Sequence, residues 1–78
     1  MAHVRFFAAA REAAGCDHVD VTCSAAADLR AQLTDRFGDR MTAVLGVSSL
    51  MSAGTRLGPD DPLPADAEVD VLPPFAGG

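Results

Sequence analysis

The chain contains no lysine, no tryptophan and no tyrosine, and all six of its basic residues are arginines. Without an ε-amine it offers no position on which copies of itself could be joined by isopeptide bonds. Long apolar runs are missing as well. None approaches the roughly 20 residues that a membrane-spanning helix needs, and the opening Met1-Ala2-His3-Val4-Arg5 lacks the charged-then-apolar layout of a secretory signal. These absences predict a soluble, cytoplasmic protein with no membrane partner. Cysteine is scarce: Cys16 and Cys23 stand seven residues apart, matching neither a CxxC redox pair nor a zinc knuckle. In the cytoplasm both are expected to be reduced.

What is present fits one small domain. A chain of 78 residues buries only about 60–65% of its unfolded surface, so its core is modest. The net charge of −5 is unevenly placed. Residues 1–56 carry six acids and six arginines, which cancel, whereas residues 57–78 carry Asp60, Asp61, Asp66, Glu68 and Asp70 with no base. The whole excess therefore lies in the last third. A segregated field of that sign steers toward a basic partner. It repels phosphates, which argues against nucleic acid.

Periodicity predicts a β-β-α-β-β order. Val4, Phe6 and Ala8 alternate with His3, Arg5 and Phe7, predicting a strand over residues 3–8 with Phe7 facing outward. Residues 9–14 read as a helical turn closed by Gly15. Val19, Val21 and Cys23 alternate with Asp20 and Thr22, predicting a hairpin partner for the first strand. Ser24 is the expected N-cap of a helix whose stripe is Ala26, Leu29, Leu33 and Phe37 and whose end is Gly38. Met41, Val44 and Leu45 are expected to cover one end of the core. Residues 47–52 and 55–57 predict short strands about a turn at Ala53-Gly54, and Gly58-Pro59-Asp60-Asp61-Pro62 predicts a loop. Residues 68–72 form the last predicted strand, ended by Pro73, which has no N–H to give a ladder. One amphipathic helix on a mixed sheet of four to five strands is an α+β, β-grasp (ubiquitin-like) arrangement. The predicted body is residues 1–72, followed by an extended C-terminal tail over residues 73–78.

That tail, Pro73-Pro74-Phe75-Ala76-Gly77-Gly78, combines a stiff exit, a single aromatic and two glycines of wide φ/ψ freedom. Six extended residues reach roughly 20 Å, enough to carry an α-carboxylate into another protein's active site. The carboxylate of Gly78 is the expected reactive group, with Pro73, Pro74, Phe75, Ala76 and Gly77 threading the partner. If Val69 and Val71 face the helix, Leu72 faces outward like Phe7. In a β-grasp sheet the first and last strands are neighbours, so Phe7 and Leu72 form the expected partner-docking patch beside the tail's exit.

Two segments carry a specific resemblance. Val4-Arg5-Phe6-Phe7-Ala8-Ala9-Ala10-Arg11-Glu12-Ala13-Ala14-Gly15 resembles the opening of the small, sulfur-carrying subunit of molybdopterin synthase. Asp60-Asp61-Pro62-Leu63 and Glu68-Val69-Asp70-Val71-Leu72-Pro73-Pro74-Phe75-Ala76-Gly77-Gly78 resemble its acidic loop, last strand and tail. The wider group is the MoaD/ThiS ubiquitin-like sulfur carriers, whose thiamin-pathway and cysteine-pathway members share the Gly-Gly end but not the Phe-Phe-Ala-x-x-Arg-Glu opening. Where the synthase family often has Val-Asn before the hairpin turn, this chain has Ser52-Ala53, which leaves that strand pairing open.

The resemblance implies a function. A ubiquitin-activating-like adenylyltransferase, using ATP, would convert Gly78 to an acyl adenylate, and a sulfur donor system would turn it into a thiocarboxylate. The tail would then enter the large catalytic subunit of molybdopterin synthase, a heterotetramer, and give its sulfur to a cyclic pyranopterin phosphate. On this reading the chain is a non-catalytic sulfur-donating subunit that binds no cofactor or metal of its own. His3 and His18 are expected on the surface, and neither cysteine has an evident activating neighbour. The alternatives are a carrier of the thiamin or cysteine pathway, a ubiquitin-like modifier attached through Gly78, and an interaction domain with an inert tail.

Overall fold

The computed structural model describes residues 1–74. Within them, strand parity follows side-chain polarity. β1 (Ala2–Phe6) buries Ala2, Val4 and Phe6 and turns His3 and Arg5 to solvent. β2 (His18–Val21) buries Val19 and Val21, and β5 (Glu68–Leu72) buries Val69 and Val71. With β3 (Ser49–Ser52) and β4 (Thr55–Arg56) they make one mixed five-stranded sheet in the order β2-β1-β5-β3-β4. β1 and β5 are parallel, in register from His3↔Glu68 to Phe6↔Val71, and the remaining contacts are antiparallel. This is the expected β-grasp fold.

α2 (Ala26–Phe37) lays the stripe Ala26, Leu29 and Leu33 on the sheet, each with essentially no exposure. Complete burial of each leucine stabilises the fold by roughly 1.5–3 kcal/mol. Phe37 closes the stripe by meeting Phe6 edge to face, with ring centroids 5.6 Å apart. The side chains that cover one end of the core do come from Met41, Val44 and Leu45. They are delivered by a helix of their own, α3 (Asp39–Val47), which packs against α2 and against the short α1 (Ala9–Ala14). Arg30 Nη1 donates to the Leu45 carbonyl at 3.0 Å, tying α2 to the last turn of α3.

Several local expectations change. Ser24 does not cap α2. Ala25 holds the N-cap position, in extended backbone and without a side-chain cap. The orphan N–H groups are satisfied from the acidic loop instead: Ala26 N donates to Asp61 O and Ala27 N to Pro59 O, both at 3.0 Å. Asp61 also closes its own loop, Oδ2 accepting from Gly58 N at 2.7 Å. Loop carbonyls at a helix N-terminus do the work of a capping side chain. Cys23 lies beyond β2, partly buried against the core rather than within the strand's inner face. The hairpin left open at Ser52-Ala53 does form, pairing Ser52 with Thr55 across Ala53 (φ 52°) and Gly54 (φ 77°). Positive φ at both turn residues is the type I′ signature.

Ala8 differs most. Expected inward on the first strand, it is exposed, with φ 52° and ψ −124°, and Ala10 N donates to Phe7 O across it at 3.1 Å. Those angles match the first central position of a type II′ turn, where glycine is favoured. A β-carbon at such an angle costs about 1–3 kcal/mol. Ala8→Gly should relieve part of that, raising stability by about 1 kcal/mol in urea titrations. An unchanged or lowered midpoint would refute the strained-turn account.

Candidate functional site

The parallel pairing of β1 and β5 brings the two ends of the chain together on the face of the sheet that the helices leave open. One register step beyond Phe6↔Val71 lie Phe7 and Leu72. Phe7 is 39% exposed and Leu72 half-buried at the end of β5, where it pairs with Ser49. Pro73 and Pro74 follow directly, the first half-buried and the second exposed. Strand parity thus positions both predicted docking residues, Phe7 and Leu72, at one end of the open face. Phe75, Ala76, Gly77 and Gly78 lie outside the described residues.

One feature of this face escaped the sequence reading. Arg5 sits directly opposite Asp70, and its Nε and Nη2 donate to the two carboxylate oxygens at 2.7 and 3.0 Å. The guanidinium carbon lies 5.8 Å from the centroid of the Phe7 ring. Asp70 holds Arg5 firmly protonated, first through the hydrogen bonds and then through its charge. The arrangement neutralises the two charges nearest the apolar patch and rests the Phe7 ring on a flat cation. Charge complementarity at positions 5 and 70, both on the outward parity of neighbouring strands, is the signal that would have found it.

Farther along the same face the histidines are surface residues. His3 Nδ1 and Asp20 Oδ1 are 2.7 Å apart, both half exposed, and His18 is exposed. Neither cysteine is joined in a disulfide. Burial, and secondarily the charge of Asp28, pushes the Cys23 thiol upward from its ordinary range. A thiol shifted that way carries little thiolate at neutral pH and is a weak nucleophile. Among the described residues no three His, Cys, Asp or Glu side chains lie close enough together to hold a metal ion. No described helix is long and apolar enough to cross a membrane. A groove of about 520 Å³ between α2 and α3, lined by Arg30, Thr34, Asp35 and Leu45 among others, includes neither Phe7 nor Leu72 in its walls.

The fold and the placement of this face define a ubiquitin-like β-grasp protein. No family profile and no curated protein matches the chain. Solved structures do. A protein described as molybdopterin converting factor, subunit 1, from Pyrococcus furiosus superposes with a TM-score of 0.84 at 20% identity, covering 95% of this chain and 97% of its own. Small archaeal modifier protein 1 from Methanosarcina acetivorans gives 0.85 at 24% identity, over 99% of this chain and 95% of its own. The modifier SAMP1 from Haloferax volcanii gives 0.76 at 23% identity, over 99% and 98%. At these identities the likeness is one of fold, and both kinds of neighbour are consistent with the ubiquitin-like group that the two end motifs resemble.

The adjacent phenylalanines give a direct check on the parity of this face. Phe6→Ala should cost about 3–5 kcal/mol, since its ring is buried against Phe37. Phe7→Arg should change stability by less than about 1 kcal/mol, as expected of an exposed position outside the core. Equal losses in thermal unfolding of the two variants would place Phe7 in the core.

Proposed function

We propose that the chain is a sulfur carrier of molybdenum cofactor biosynthesis, with residues 1–72 as the recognition body and residues 73–78 as the reactive tail. The observation that best supports this reading is the β1–β5 register. β1 and β5, the strands that open and close the two segments of family resemblance, pair in parallel, and that register sets Phe7 beside Leu72 on the open face. Phe7 and Leu72 would anchor a cytoplasmic partner at the point where Pro73 and Pro74 follow β5.

The chemistry follows from the terminal group. A carboxylate is a poor acyl electrophile until it carries a good leaving group, so the activating adenylyltransferase joins Gly78 to AMP from ATP and releases pyrophosphate. Glycine leaves that carbonyl unhindered. Sulfur at the sulfide level from the donor system attacks the acyl carbon and displaces AMP, leaving a thiocarboxylate. Two such carriers, one per turnover, give their sulfur to the pyranopterin in the large subunit, and each returns with Gly78 as a carboxylate. The body supplies recognition, while general base, phosphate site and substrate pocket belong to the partners.

A second reading is favoured by the likeness to two archaeal modifiers: attachment to target proteins through Gly78. It shares the adenylation step and differs in what accumulates. Intact-mass spectrometry of the chain isolated from its own cells separates the two. The carrier gains one sulfur in place of one oxygen, located at Gly78 by fragmentation, whereas the modifier appears in conjugates.

Deleting Gly78, or appending one residue after it, should abolish support of molybdopterin synthesis in a complementation assay while leaving the thermal midpoint unchanged. Survival of activity in either variant would falsify the carrier assignment. Phe7→Arg should weaken binding to the large subunit and to the activating enzyme by a few kcal/mol, the range of a buried anchor, as read by calorimetry.

Sulfur carried on a thiol is the rival mechanism, and the upward shift of Cys23 argues against that residue as the carrier. The double replacement Cys16→Ser with Cys23→Ala should retain sulfur transfer at a stability cost of about 1 kcal/mol. A dead double variant, with sulfur found on cysteine and Gly78 unmodified, sinks this mechanism.

A further inference from the structure

The sheet has two edges, and only one of them is blunted. β4 is two residues long and lies between Gly54 and Gly58. The other edge, β2, runs through His18, Val19, Asp20 and Val21 with no proline and no lysine. Its hydrogen-bonding parity is set by Phe6 N, which donates to Asp17 O at 2.8 Å. With the register Val4↔Val19 and Ala2↔Val21, the backbone groups of Asp17, Val19 and Val21 point to β1. Those of His18 and Asp20 then point away from the sheet. Thr22 O, next on the same side, is taken by Gln32 Nε2 of α2 at 2.7 Å. Among the described residues nothing takes the N–H and C=O of His18 and Asp20. α2 does not cover them: a shallow groove of about 330 Å³ runs along this edge, lined by Asp20, Val21, Thr22, Gln32, Asp35 and Arg36.

We propose that this edge pairs with the same edge of a second copy, antiparallel about a two-fold axis at Val19, to join two sheets into one. The occupant follows from self-complementarity. Only registers that oppose outward-pointing residues can form hydrogen bonds. Centring on Asp20 sets two carboxylates against each other, and centring on Val21 calls on the Thr22 carbonyl that Gln32 already holds. Centring on Val19 opposes His18 of each copy to Asp20 of the other. That register makes four backbone hydrogen bonds from the outward N–H and C=O groups of His18 and Asp20. It also sets His18 twice beside an Asp20 carboxylate on the open face, where one oxygen, Oδ1, is already 2.7 Å from His3 Nδ1 of its own copy and the other is left for the partner strand. Val19 meets its own copy on the core side. The edge is short, so the dimer is weak and concentration-dependent. The Phe7–Leu72 end of the face stays clear, because β2 and β5 are separated by β1.

Sedimentation velocity of the full chain from micromolar to millimolar concentration tests this directly. The unmodified protein should move from monomer to dimer, and exchange of the His18 and Asp20 amides should slow in step. His18→Asp and Asp20→Lys, both at exposed positions, should each weaken self-association roughly tenfold, from two cross-strand pairs turned from attractive to repulsive. An equimolar mixture of the two variants should restore it, because one edge then carries two carboxylates and the other two donors. A chain that stays monomeric to millimolar concentration overturns the proposal and leaves the edge to a strand from a different protein. A dimer untouched by both substitutions also overturns it, since the contact then lies elsewhere.

Discussion

The parallel contact between β1 and β5 is the constraint from which the remaining structure follows. It joins residues some 65 positions apart, so its loop-closure entropy can be recovered only through burial. Val4, Phe6, Val69 and Val71 provide that burial on one side of the paired strands, and α2 completes it with Leu29 and Leu33. Because side chains alternate, the same register sets the other side. His3, Arg5 and Phe7 must lie beside Glu68, Asp70 and Leu72 once the valines are matched. The open face is therefore a by-product of core packing. It needs no separate device to assemble it, and a one-residue slip would invert the core.

The acidic segment has a structural task as well as an electrostatic one. Carbonyls of Pro59 and Asp61 receive the first N–H groups of α2, and Leu63 N returns a bond to Ser24 O at 2.9 Å. A negatively charged loop seated on a helix N-terminus is favoured by the helix dipole. The charge that the sequence concentrates in residues 57–70 thus helps hold α2 in place over the sheet. The same carboxylates remain largely exposed and set the sign of the field on that side of the molecule.

Which features could be read from the sequence depends on how local their cause is. Strand parity, the α2 stripe, the Gly15 helix end and the inward placement of Val69 and Val71 arise from spacing within a few residues, and the structure has them. The strand-to-turn switch at Ala8 was hidden because alanine carries no signal for a positive φ. Ser24 looks like an N-cap by type, yet the capping groups come from a loop more than thirty residues away. α3 was legible only as its three core residues, because its cap is Gly38 and Gly46 lies inside it. The outward placement of Phe7 and Leu72 could be read from alternation alone. Arg5–Asp70 required knowing that the two strands are in register.

That last pair explains how one small surface can be acidic overall and still apolar where contact is expected. A lone arginine or aspartate beside Phe7 and Leu72 would have to be desolvated, unpaired, when a partner covered the patch, at a cost of several kcal/mol. Matched in a two-point contact, the charges cancel locally and keep most of their hydrogen bonding when water leaves. Asp70 is already the more shielded member, its side chain 27% exposed against 61% for Arg5. The long-range field then comes from Asp60, Asp61, Asp66 and Glu68, which are exposed and lie outside the patch. On the proposed function, steering and docking would fall to different residues: the exposed carboxylates would act at a distance set by the Debye length, and the neutral, apolar end of the sheet would act at contact.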